Sequence, residues 1–394
     1  MEHPWITFEV ELGQMAPPFW MLLGEARSKC AHLCRVPLPK TYADQLHSVS
    51  LAKGAHATTA IEGNTLSEDT VRAIVEGQPI PPSPDYQVRE VENVITAYNW
   101  VLDQIRAGQA PVLSPALITD FNRMVLEGLD DLEDHVVPGE IRTKSVVVGP
   151  YRAPDFGECA DLLARMCEWL NSPGFAGEGP MRLPTAIIRA SLAHLYLAWI
   201  HPFGDGNGRT ARLCEYLVLV TSGVPTSAAH LISNHCNQTR DEYYRQLRYA
   251  SESGGDVTRF LQYCAEGFVG GLGEQLQFVH DRQFRLTWHE HVAEQVTGRD
   301  VEMRQRRSLI ANTLLGRGVI PKRAIPLLTP DLAVAYSVCG PKTLTRDLNE
   351  LVTLSLIEER DGGFAARDDV LLNLLPLVVD ESGSDARAPS LGHG

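Results

Sequence analysis

One turn of the sequence, residues 201–212, collects side chains suited to moving a proton beside a polyphosphate. His201 titrates near neutrality, so it can accept a proton from a hydroxyl group. Asp205 offers the hard oxygen ligands that Mg²⁺ prefers. Arg209 and Arg212 stand three residues apart, so on a helix both guanidinium groups can reach one polyphosphate. The turn therefore indicates phosphoryl-type chemistry, which depends on positioning and charge neutralisation.

Two apolar segments must position this turn. Residues 184–200 open with a proline and continue with apolar residues at helical spacing, which predicts a buried helix. Residues 209–220 predict a second buried helix. Between them, Gly204, Gly206 and Gly208 permit backbone conformations in which successive N–H groups converge on one point. Together with the N-terminus of the second helix, these groups form a predicted anion site.

The whole run from His201 to Arg212 resembles the signature of the Fic family, H-P-F-x-x-G-N-G-R-x-x-R, at all eight fixed positions. The resemblance covers roughly residues 50–270 and implies transfer of AMP from ATP to a protein hydroxyl group, with release of pyrophosphate. It implies that His201 is the general base for a target Tyr, Thr or Ser, and that Asp205 holds Mg²⁺ or Mn²⁺. The implied nucleotide-binding residues of the turn are Phe203, Gly204, Gly206, Asn207, Gly208, Arg209 and Arg212.

A second segment, residues 58–64, resembles the inhibitory motif of the family, [S/T]-x-x-x-E-[G/N]. The resemblance implies that the Glu62 carboxylate pairs with Arg212 and competes with the γ-phosphate of ATP for that guanidinium. In some relatives the same glutamate positions water for the removal of AMP, so reversal is an alternative. Taken alone, the spacing from Thr58 to Glu62 also suits a helix capping region.

A third segment, residues 138–149, is a β-branched run bounded by glycines, which predicts a strand or hairpin. It resembles the flap of the family, whose edge binds a target segment by strand addition. The implied docking residues are Val146, Val147 and Val148. An ordinary surface hairpin is the alternative.

A fourth and weaker match lies at residues 233–244, where relatives often show S-x-Y-I-x-x-N-R-x-x-Y-Y. It implies that Tyr243 and Tyr244 wall the adenine pocket. An aromatic pair on a helix also suits plain packing, so both interpretations stay open.

The composition is that of a globular protein, with 394 residues, 44% hydrophobic and 21% charged. The net charge of −14 disfavours binding of nucleic acid or anionic membranes by the whole molecule. Eight cysteines are spread widely without a CxxC pair, which favours reduced thiols in a cytoplasmic protein. No run reaches the roughly 18 apolar residues of a membrane span, so we expect no membrane partner.

The predicted fold class is mainly α: a Fic helical core with a β-hairpin flap, followed by a small winged helix-turn-helix domain. The latter expectation comes from a helix, turn, helix and hairpin pattern in which residues 342–351 are typical of a recognition helix. The predicted domains are a helical region with the inhibitory motif (1–114), the catalytic core (115–280), a connecting helix (281–300), the winged domain (301–376) and a disordered tail (377–394).

The sequence of the predicted winged domain does not decide between DNA and protein as its partner. If it binds DNA, Thr343, Thr345, Arg346 and Asn349 are the residues expected to reach bases or phosphates. Residues 301–376 hold ten Lys and Arg against nine Asp and Glu, so no basic footprint stands out. Such domains also serve in dimerisation and protein docking.

The sequence therefore predicts an autoinhibited protein adenylyltransferase that uses ATP to modify a target protein or itself. One alternative is a DNA-binding regulator with a nucleotide-sensing core. Another is an enzyme that also removes AMP. Relatives commonly form dimers, and the apolar helices permit a homodimer here.

Overall fold

The computed structural model describes residues 3–130, 132–149 and 151–373. The chain is mainly helical within these ranges, as predicted, and it divides into two compact units, Met1–Leu276 and Gln277–Gly394. The predicted disordered tail (377–394) lies outside the described residues. All eight cysteines lie inside them, and all are free.

The first unit is a helical assembly with one short hairpin. Its helices are α1 (Pro17–Arg35), α2 (Lys40–Ala60), α3 (Glu68–Val75), α4 (Asp85–Arg106), α5 (Pro115–Leu126), α6 (Cys159–Leu170), α7 (Arg182–Ile200), α8 (Asn207–Thr221), α9 (Leu231–Gln238) and α10 (Arg240–Glu252). α11 (Thr258–Gln295) begins in this unit, and the division between the units falls within it. The predicted connecting helix at 281–300 is therefore mostly a continuation of α11, because no helix breaker interrupts the sequence there.

α7 and α8 form the centre of the first unit, and both begin two residues before the predicted positions. Their residues are buried on nearly every side, which is expected for helices that are apolar around most of their circumference. By length and composition the stretch Gly179–Ile200 could cross a membrane, but 78% of its apolar window is buried inside the protein. Such burial is typical of a core helix.

The hairpin of the first unit is shorter than the sequence suggests. β1 (Val147–Val148) pairs with β2 (Tyr151–Arg152) in antiparallel register, Val147 opposite Arg152 and Val148 opposite Tyr151. Only the end of the predicted segment 138–149 is therefore a strand. The part before it follows an irregular path, because its backbone and side chains bond to the catalytic turn rather than to a second strand.

The second unit contains α12 (Val301–Leu314), α13 (Pro330–Ser337), α14 (Thr343–Thr353), the short α15 (Asp369–Leu372) and a three-stranded antiparallel sheet. The strands are β3 (Ile320–Pro321), β4 (Ile357–Arg360) and β5 (Gly363–Ala366), in the order β3-β5-β4. Asp361 and Gly362, with φ of 48° and 76°, make the turn of the predicted hairpin. The sequence predicts only a break at Pro321, whereas the structure has an edge strand there, a position that tolerates proline.

A separate hydrophobic core stabilises the second unit. Trp288, Ile310, Leu348 and Leu351 lie fully buried in it. Asp347 is buried on the same face of α14 and accepts hydrogen bonds from the two adjacent arginines of α12 and from a tyrosine hydroxyl of α13. The order of helices and hairpin is the one that the winged helix-turn-helix resemblance implies.

Candidate active site

The turn between α7 and α8 carries the predicted catalytic residues. α7 ends at Ile200; the next residue, His201, has a left-handed φ of 47°, and Pro202 cannot continue the helix. Phe203 is buried, as expected for a residue that holds the loop against the core. Gly206 precedes α8 with a φ of 76°, a conformation that favours glycine. The local sequence therefore explains the path of the backbone through the site.

Asn207 closes the turn from inside. Its Nδ2 donates to the carbonyl oxygen of Phe203 at 2.9 Å, and its Oδ1 accepts from the backbone N–H of Phe203 at 3.0 Å. The side chain is buried, and both its oxygen and its nitrogen are bonded to the backbone of Phe203. A contact from Asn207 to a nucleotide would therefore come from its backbone N–H at the start of α8.

His201 sits half-buried at the end of α7, with Nδ1 3.4 Å from the carbonyl oxygen of Ala198. Burial lowers its pKa to about 4, a change that the nearby Glu62 carboxylate only partly opposes. The imidazole is therefore neutral at physiological pH. A neutral imidazole with one free ring nitrogen can accept a proton from an incoming hydroxyl group.

Asp205 is suited to share a cation with a phosphate ligand. Its side chain is 46% exposed, and Oδ1 accepts from the backbone N–H of Gly206 and from Arg209 Nη2 at 2.9 Å. Both hydrogen bonds that it makes within the described residues fall on Oδ1, which leaves Oδ2 for a cation. The described ranges contain no group of three or more His, Cys, Asp and Glu side chains able to hold a metal. One carboxylate fits Mg²⁺ or Mn²⁺ that arrives with phosphates, because such ions often take most other ligands from substrate and water.

Arg212 is paired with the predicted inhibitory glutamate. Its Nη2 donates to Glu62 Oε1 at 2.5 Å and to the carbonyl oxygen of Thr58 at 2.9 Å. The Arg212 side chain is 0% exposed and that of Glu62 is 31% exposed. Nε and Nη1 of Arg212 are buried, and neither has a hydrogen-bond partner in the part of the chain that the structure describes. Buried donors without acceptors are costly, so these N–H groups of Arg212 would gain free energy by donating to the oxygen atoms of a ligand.

The end of α2 delivers Glu62 to the site. Thr58 lies in the last turn of this helix, and the backbone N–H of Glu62 donates to Thr59 at 3.0 Å. The segment is thus a helix C-terminus, so the alternative of an N-terminal capping box is wrong. Burial raises the pKa of Glu62, but Arg212 outweighs it and the net pKa is lowered, so the carboxylate is charged at neutral pH.

Gly208 allows this approach. A Cβ atom built on Gly208 would lie 2.0 Å from Glu62 Oε1, so no larger residue fits while the glutamate is seated. The carboxylate therefore rests on the first turn of α8, where backbone N–H groups attract anions. That is the position predicted for phosphate oxygens, and Glu62 occupies it.

Arg209 is held by two carboxylates, one of which the sequence did not reveal. Nη1 donates to Glu90 Oε1 at 2.5 Å, and Nη2 to Asp205 Oδ1. Side-chain exposure is 5% for Arg209 and 11% for Glu90. Glu90 lies 119 residues from Arg209 on an ordinary amphipathic helix, so no local pattern marks it.

Arg142, also missed from the sequence, ties the hairpin segment to the catalytic turn. Its Nε donates to the carbonyl oxygen of His201 at 2.8 Å, and its backbone N–H to that of Pro202 at 2.9 Å. Its other donors reach the carbonyl oxygens of Lys144 at 2.7 Å and Pro154 at 2.6 Å. This buried arginine is therefore used entirely by backbone oxygens around the site.

Two of the three predicted docking residues, Val147 and Val148, form the first strand of the hairpin, and Val146 comes directly before it. Val147 is 65% exposed and Val148 is 43% exposed, whereas Val146 is half-buried. On the other strand, His3 Nε2 lies 2.8 Å from the carbonyl oxygen of Arg152. The outer edge of β1 is thus the better candidate for a docked segment.

The two tyrosines of the predicted adenine pocket have different environments. Tyr243 is buried, and its hydroxyl lies 2.9 Å from Nε2 of His194, which in turn contacts Glu215 at 2.7 Å. Tyr244 is 44% exposed. The structure therefore uses Tyr243 in a core hydrogen-bond network, and Tyr244 is the ring available to a base. The role of both in binding adenine stays a prediction.

The turn, its two flanking helices and the hairpin resemble a known protein domain. Residues 112–219 match the model of the Fic/DOC family, so the chain contains a domain of that family. The match includes the whole catalytic turn. It also includes the hairpin and Arg142, whereas Glu62 and Glu90 lie outside it.

Similar proteins extend the likeness beyond this domain. The chain is 36% identical over 212 residues to protein adenylyltransferase fic-1 of Caenorhabditis briggsae, and 32% identical over 211 residues to protein adenylyltransferase Fic of Drosophila virilis. Each match covers 53% of this chain; the covered share is 38% of the nematode protein and 39% of the insect protein. The chain thus spans less than two fifths of the length of these curated relatives.

Solved structures agree on the fold. A Fic family protein from Desulfovibrio desulfuricans G20 superposes with a TM-score of 0.57 at 20% identity, covering 89% of this chain and 93% of the other. Residues 134–508 of Fic-1 from Caenorhabditis elegans superpose with a TM-score of 0.53 at 27% identity, covering 66% and 72%. The first likeness shows the fold alone.

Proposed function

We propose that the chain is an autoinhibited protein adenylyltransferase, which transfers AMP from ATP to a hydroxyl side chain of a target protein or of itself. The observation that carries this proposal is the Glu62 carboxylate on Arg212, directly over Gly208, in the position that suits phosphate oxygens. A neutral His201 stands beside it. The two curated relatives described above are both named protein adenylyltransferases, which supports the same activity.

The start of α8 binds the triphosphate in this proposal. Backbone N–H groups of Asn207 and Gly208 face the phosphates, and the helix dipole favours their negative charge. Arg212 supplies its unused Nε–H and Nη1–H groups to the β- and γ-phosphates, and Arg209 adds a second guanidinium. A divalent cation on Asp205 would neutralise part of the phosphate charge.

The transfer step needs one base and a fixed line of attack. His201 accepts the proton of the target hydroxyl, whose oxygen forms a bond to the α-phosphorus. The bond from that phosphorus to the bridging oxygen of the β-phosphate breaks, and pyrophosphate leaves with the electron pair. The arginines hold the leaving group, so the protein contributes mainly orientation and charge stabilisation.

Docking of the target places its hydroxyl near His201. The outer edge of β1, with Val147 and Val148 exposed, accepts an extended segment as an added strand. Arg142 ties the backbone before this strand to the carbonyl oxygens of His201 and Pro202. A docked segment is therefore held in fixed register with the base.

Inhibition follows from competition for one guanidinium. While Glu62 occupies Arg212, the γ-phosphate cannot take its place, so ATP binds in a pose that is wrong for attack. Removal of the carboxylate frees the site. A bifunctional enzyme, in which Glu62 also orients water to remove AMP, is the alternative that the same geometry allows.

The test is transfer from ATP labelled at the α-phosphate, with Mg²⁺ or Mn²⁺, by the parent chain, Glu62→Gly and Glu62→Gly/His201→Ala. We expect strong labelling by the single variant, weak labelling by the parent and about 10²- to 10⁴-fold less by the double variant than by Glu62→Gly, the usual contribution of a general base. ATP labelled at the γ-phosphate is the control and should transfer no label. A folded, ATP-binding Glu62→Gly variant that transfers nothing would refute the proposal. Label lost from modified protein on adding the parent chain, but not Glu62→Gly, would favour the bifunctional enzyme.

A second candidate function, DNA binding, rests on the exposed face of α14. Lys342, Arg346 and Asn349 are exposed there, while Asp347 and Leu348 face the core. Of the other predicted contacts, Thr345 is half-buried and accepts from Lys322 Nζ at 2.8 Å. A fluorescent duplex tests it: binding that weakens steeply with salt and is lost in Arg346→Ala supports it, and the absence of binding at low salt rejects it.

A further inference from the structure

Glu90 touches two parts of the site that the mechanism treats separately. Its Oε1 accepts from Arg209 Nη1 at 2.5 Å, and its Oε2 accepts from Asn64 Nδ2 at 2.8 Å. Arg209 belongs to the phosphate-binding turn, and Asn64 follows the inhibitory Glu62 by two residues. One nearly buried carboxylate therefore joins the inhibitory segment to a predicted ligand of the triphosphate.

Asn64 controls the path of the chain that leaves Glu62. It is buried, and its backbone N–H donates to Thr59 at 3.1 Å. Its Oδ1 accepts from the N–H of Leu66 at 3.0 Å, and its Nδ2 donates to Gln87 as well as to Glu90. A shift of this side chain moves the turn from which Glu62 reaches Arg212.

A movement of the Arg209 side chain also affects Glu90 and Asn64. If a polyphosphate draws its guanidinium away, Glu90 keeps a buried negative charge whose remaining hydrogen-bond partner among the described residues is the neutral amide of Asn64. An unpaired buried charge is costly, and burial already raises the pKa of Glu90. The carboxylate must therefore rotate toward solvent or a new donor, or take up a proton. Each of these changes weakens or removes the hydrogen bond that Asn64 donates to it.

We propose that Glu90 is a positioning residue that couples the two arginines: it ties Arg209 to the inhibitory turn, so that phosphate binding at Arg209 helps to release Glu62 from Arg212. This inference rests on the proposed function, because it takes the start of α8 as the phosphate site. It adds a route by which the substrate itself weakens the inhibition. The pairing of Glu62 with Arg212 alone contains no such route.

The experiment is a double-mutant cycle on phosphate binding, with inorganic pyrophosphate as the probe and calorimetry as the measurement. Pyrophosphate competes with Glu62 directly and requires no transfer reaction. We expect Glu90→Gln to tighten pyrophosphate binding about tenfold in the parent chain, because it loosens the inhibitory turn, and by less than about threefold in Glu62→Gly. Equal effects in the two backgrounds would overturn the proposal.

A third variant separates the hydrogen-bonded route from direct repulsion between the two carboxylates. When Asn64→Ala is also present, Glu90→Gln should change pyrophosphate binding equally in the parent chain and in Glu62→Gly. The reason is that Asn64→Ala removes the hydrogen bond between residue 64 and Glu90. A difference that persists there points to charge repulsion alone and also overturns the proposal. If Glu90→Gln does not fold, Asn64→Ala measured in the parent and in Glu62→Gly makes the same comparison.

Glu92→Gln is the matched control, since this glutamate lies on the same helix with its side chain 46% exposed. It should leave pyrophosphate binding unchanged in both backgrounds. The outcome is independent of the labelling experiment. If the cycle shows coupling but no AMP is transferred, the proposed coupling stands and the proposed reaction is rejected. If AMP is transferred but the cycle is additive, the reaction stands and the coupling is rejected.

Discussion

The two units of the protein each bury arginines against a carboxylate, but they do so with opposite balances of donors and acceptors. In the first unit, Arg212 is fully buried and two of its nitrogens lack partners within the described residues. In the second unit, Asp347 is the buried member and receives bonds from Arg306, Arg307 and Tyr336.

This difference distinguishes the proposed phosphate site around Arg212 from a structural hydrogen-bond network around Asp347. A carboxylate with three donors is satisfied, so it stabilises its surroundings and has nothing left to offer a ligand. A buried guanidinium with unused N–H groups costs free energy in the empty protein and recovers it when oxygen atoms arrive. Four experiments test the contrast, ordered from the largest expected effect to the smallest.

Removing the satisfied carboxylate should have the largest effect. Asp347→Ala leaves two arginines, whose side chains are 15% exposed, and a tyrosine hydroxyl without their buried acceptor, and we expect a loss of about 3–5 kcal/mol in the unfolding free energy of the second unit. Denaturant unfolding followed by the fluorescence of Trp288, which is buried in this unit, measures it. The exposed Glu359→Ala is the control and should change stability by under about 0.5 kcal/mol. A loss below about 1 kcal/mol for Asp347→Ala would erase the contrast.

Pyrophosphate should supply the acceptors that the buried N–H groups of Arg212 lack in the first unit. In Glu62→Gly, pyrophosphate at a hundredfold excess over its Kd should stabilise the protein by about 2.7 kcal/mol, because it binds only the folded chain. The parent chain at the same concentration should gain less, because Glu62 competes for Arg212. Thermal unfolding with and without pyrophosphate, at constant ionic strength, gives both values. Equal gains would show that the carboxylate does not occupy the phosphate position.

Arg142 provides a satisfied arginine within the first unit. Arg142→Met keeps the apolar length of the side chain but leaves the carbonyl oxygens of three residues without a donor, so we expect a loss of about 1–3 kcal/mol. Hydrogen exchange should locate the loosening at residues 141–153. The 70% exposed Arg106→Met is the control, with no expected change. Loosening spread evenly over the unit would mean that Arg142 does not specifically hold the hairpin segment.

The smallest effect concerns pH. Because the pKa of His201 is lowered to about 4, its base form is lost only as the pH falls through that value, far below the ordinary histidine pKa of about 6.5. Transfer by Glu62→Gly should therefore change by less than about twofold between pH 7.5 and 6.0. The Glu62 carboxylate raises the pKa of His201, so its removal in Glu62→Gly lowers that pKa further. The base form of His201 in this variant should therefore persist to a still lower pH. A rate halved at pH 6.5 would contradict the burial of the imidazole.

The catalytic turn could be predicted from the sequence because its geometry is local. His201, Pro202 and the glycines specify their own backbone conformations, and the helices on either side were predicted to within two residues at each end. The pairing of Glu62 with Arg212 also followed, through resemblance rather than physics. Its two atoms lie 150 residues apart in the chain.

The remaining features depend on contacts that no local pattern encodes. Glu90 and Arg142 acquire their roles from partners 119 and 59 residues away. The edge strand at Ile320 forms only because β5 lies beside it. The side-chain hydrogen bonds from Asn207 to Phe203 stabilise the turn, whereas the sequence predicted only that Asn207 helps to bind the nucleotide.

The position of Glu62 along the chain has a consequence for synthesis. A ribosome completes α2 and the glutamate about 140 residues before the catalytic turn emerges, which at the usual 5–20 residues per second is a delay of roughly 10–30 s. Glu62 is therefore already present when α8 first folds. If Glu62 inhibits as proposed, a nascent chain never passes through a stage in which the assembled site lacks the inhibitory carboxylate.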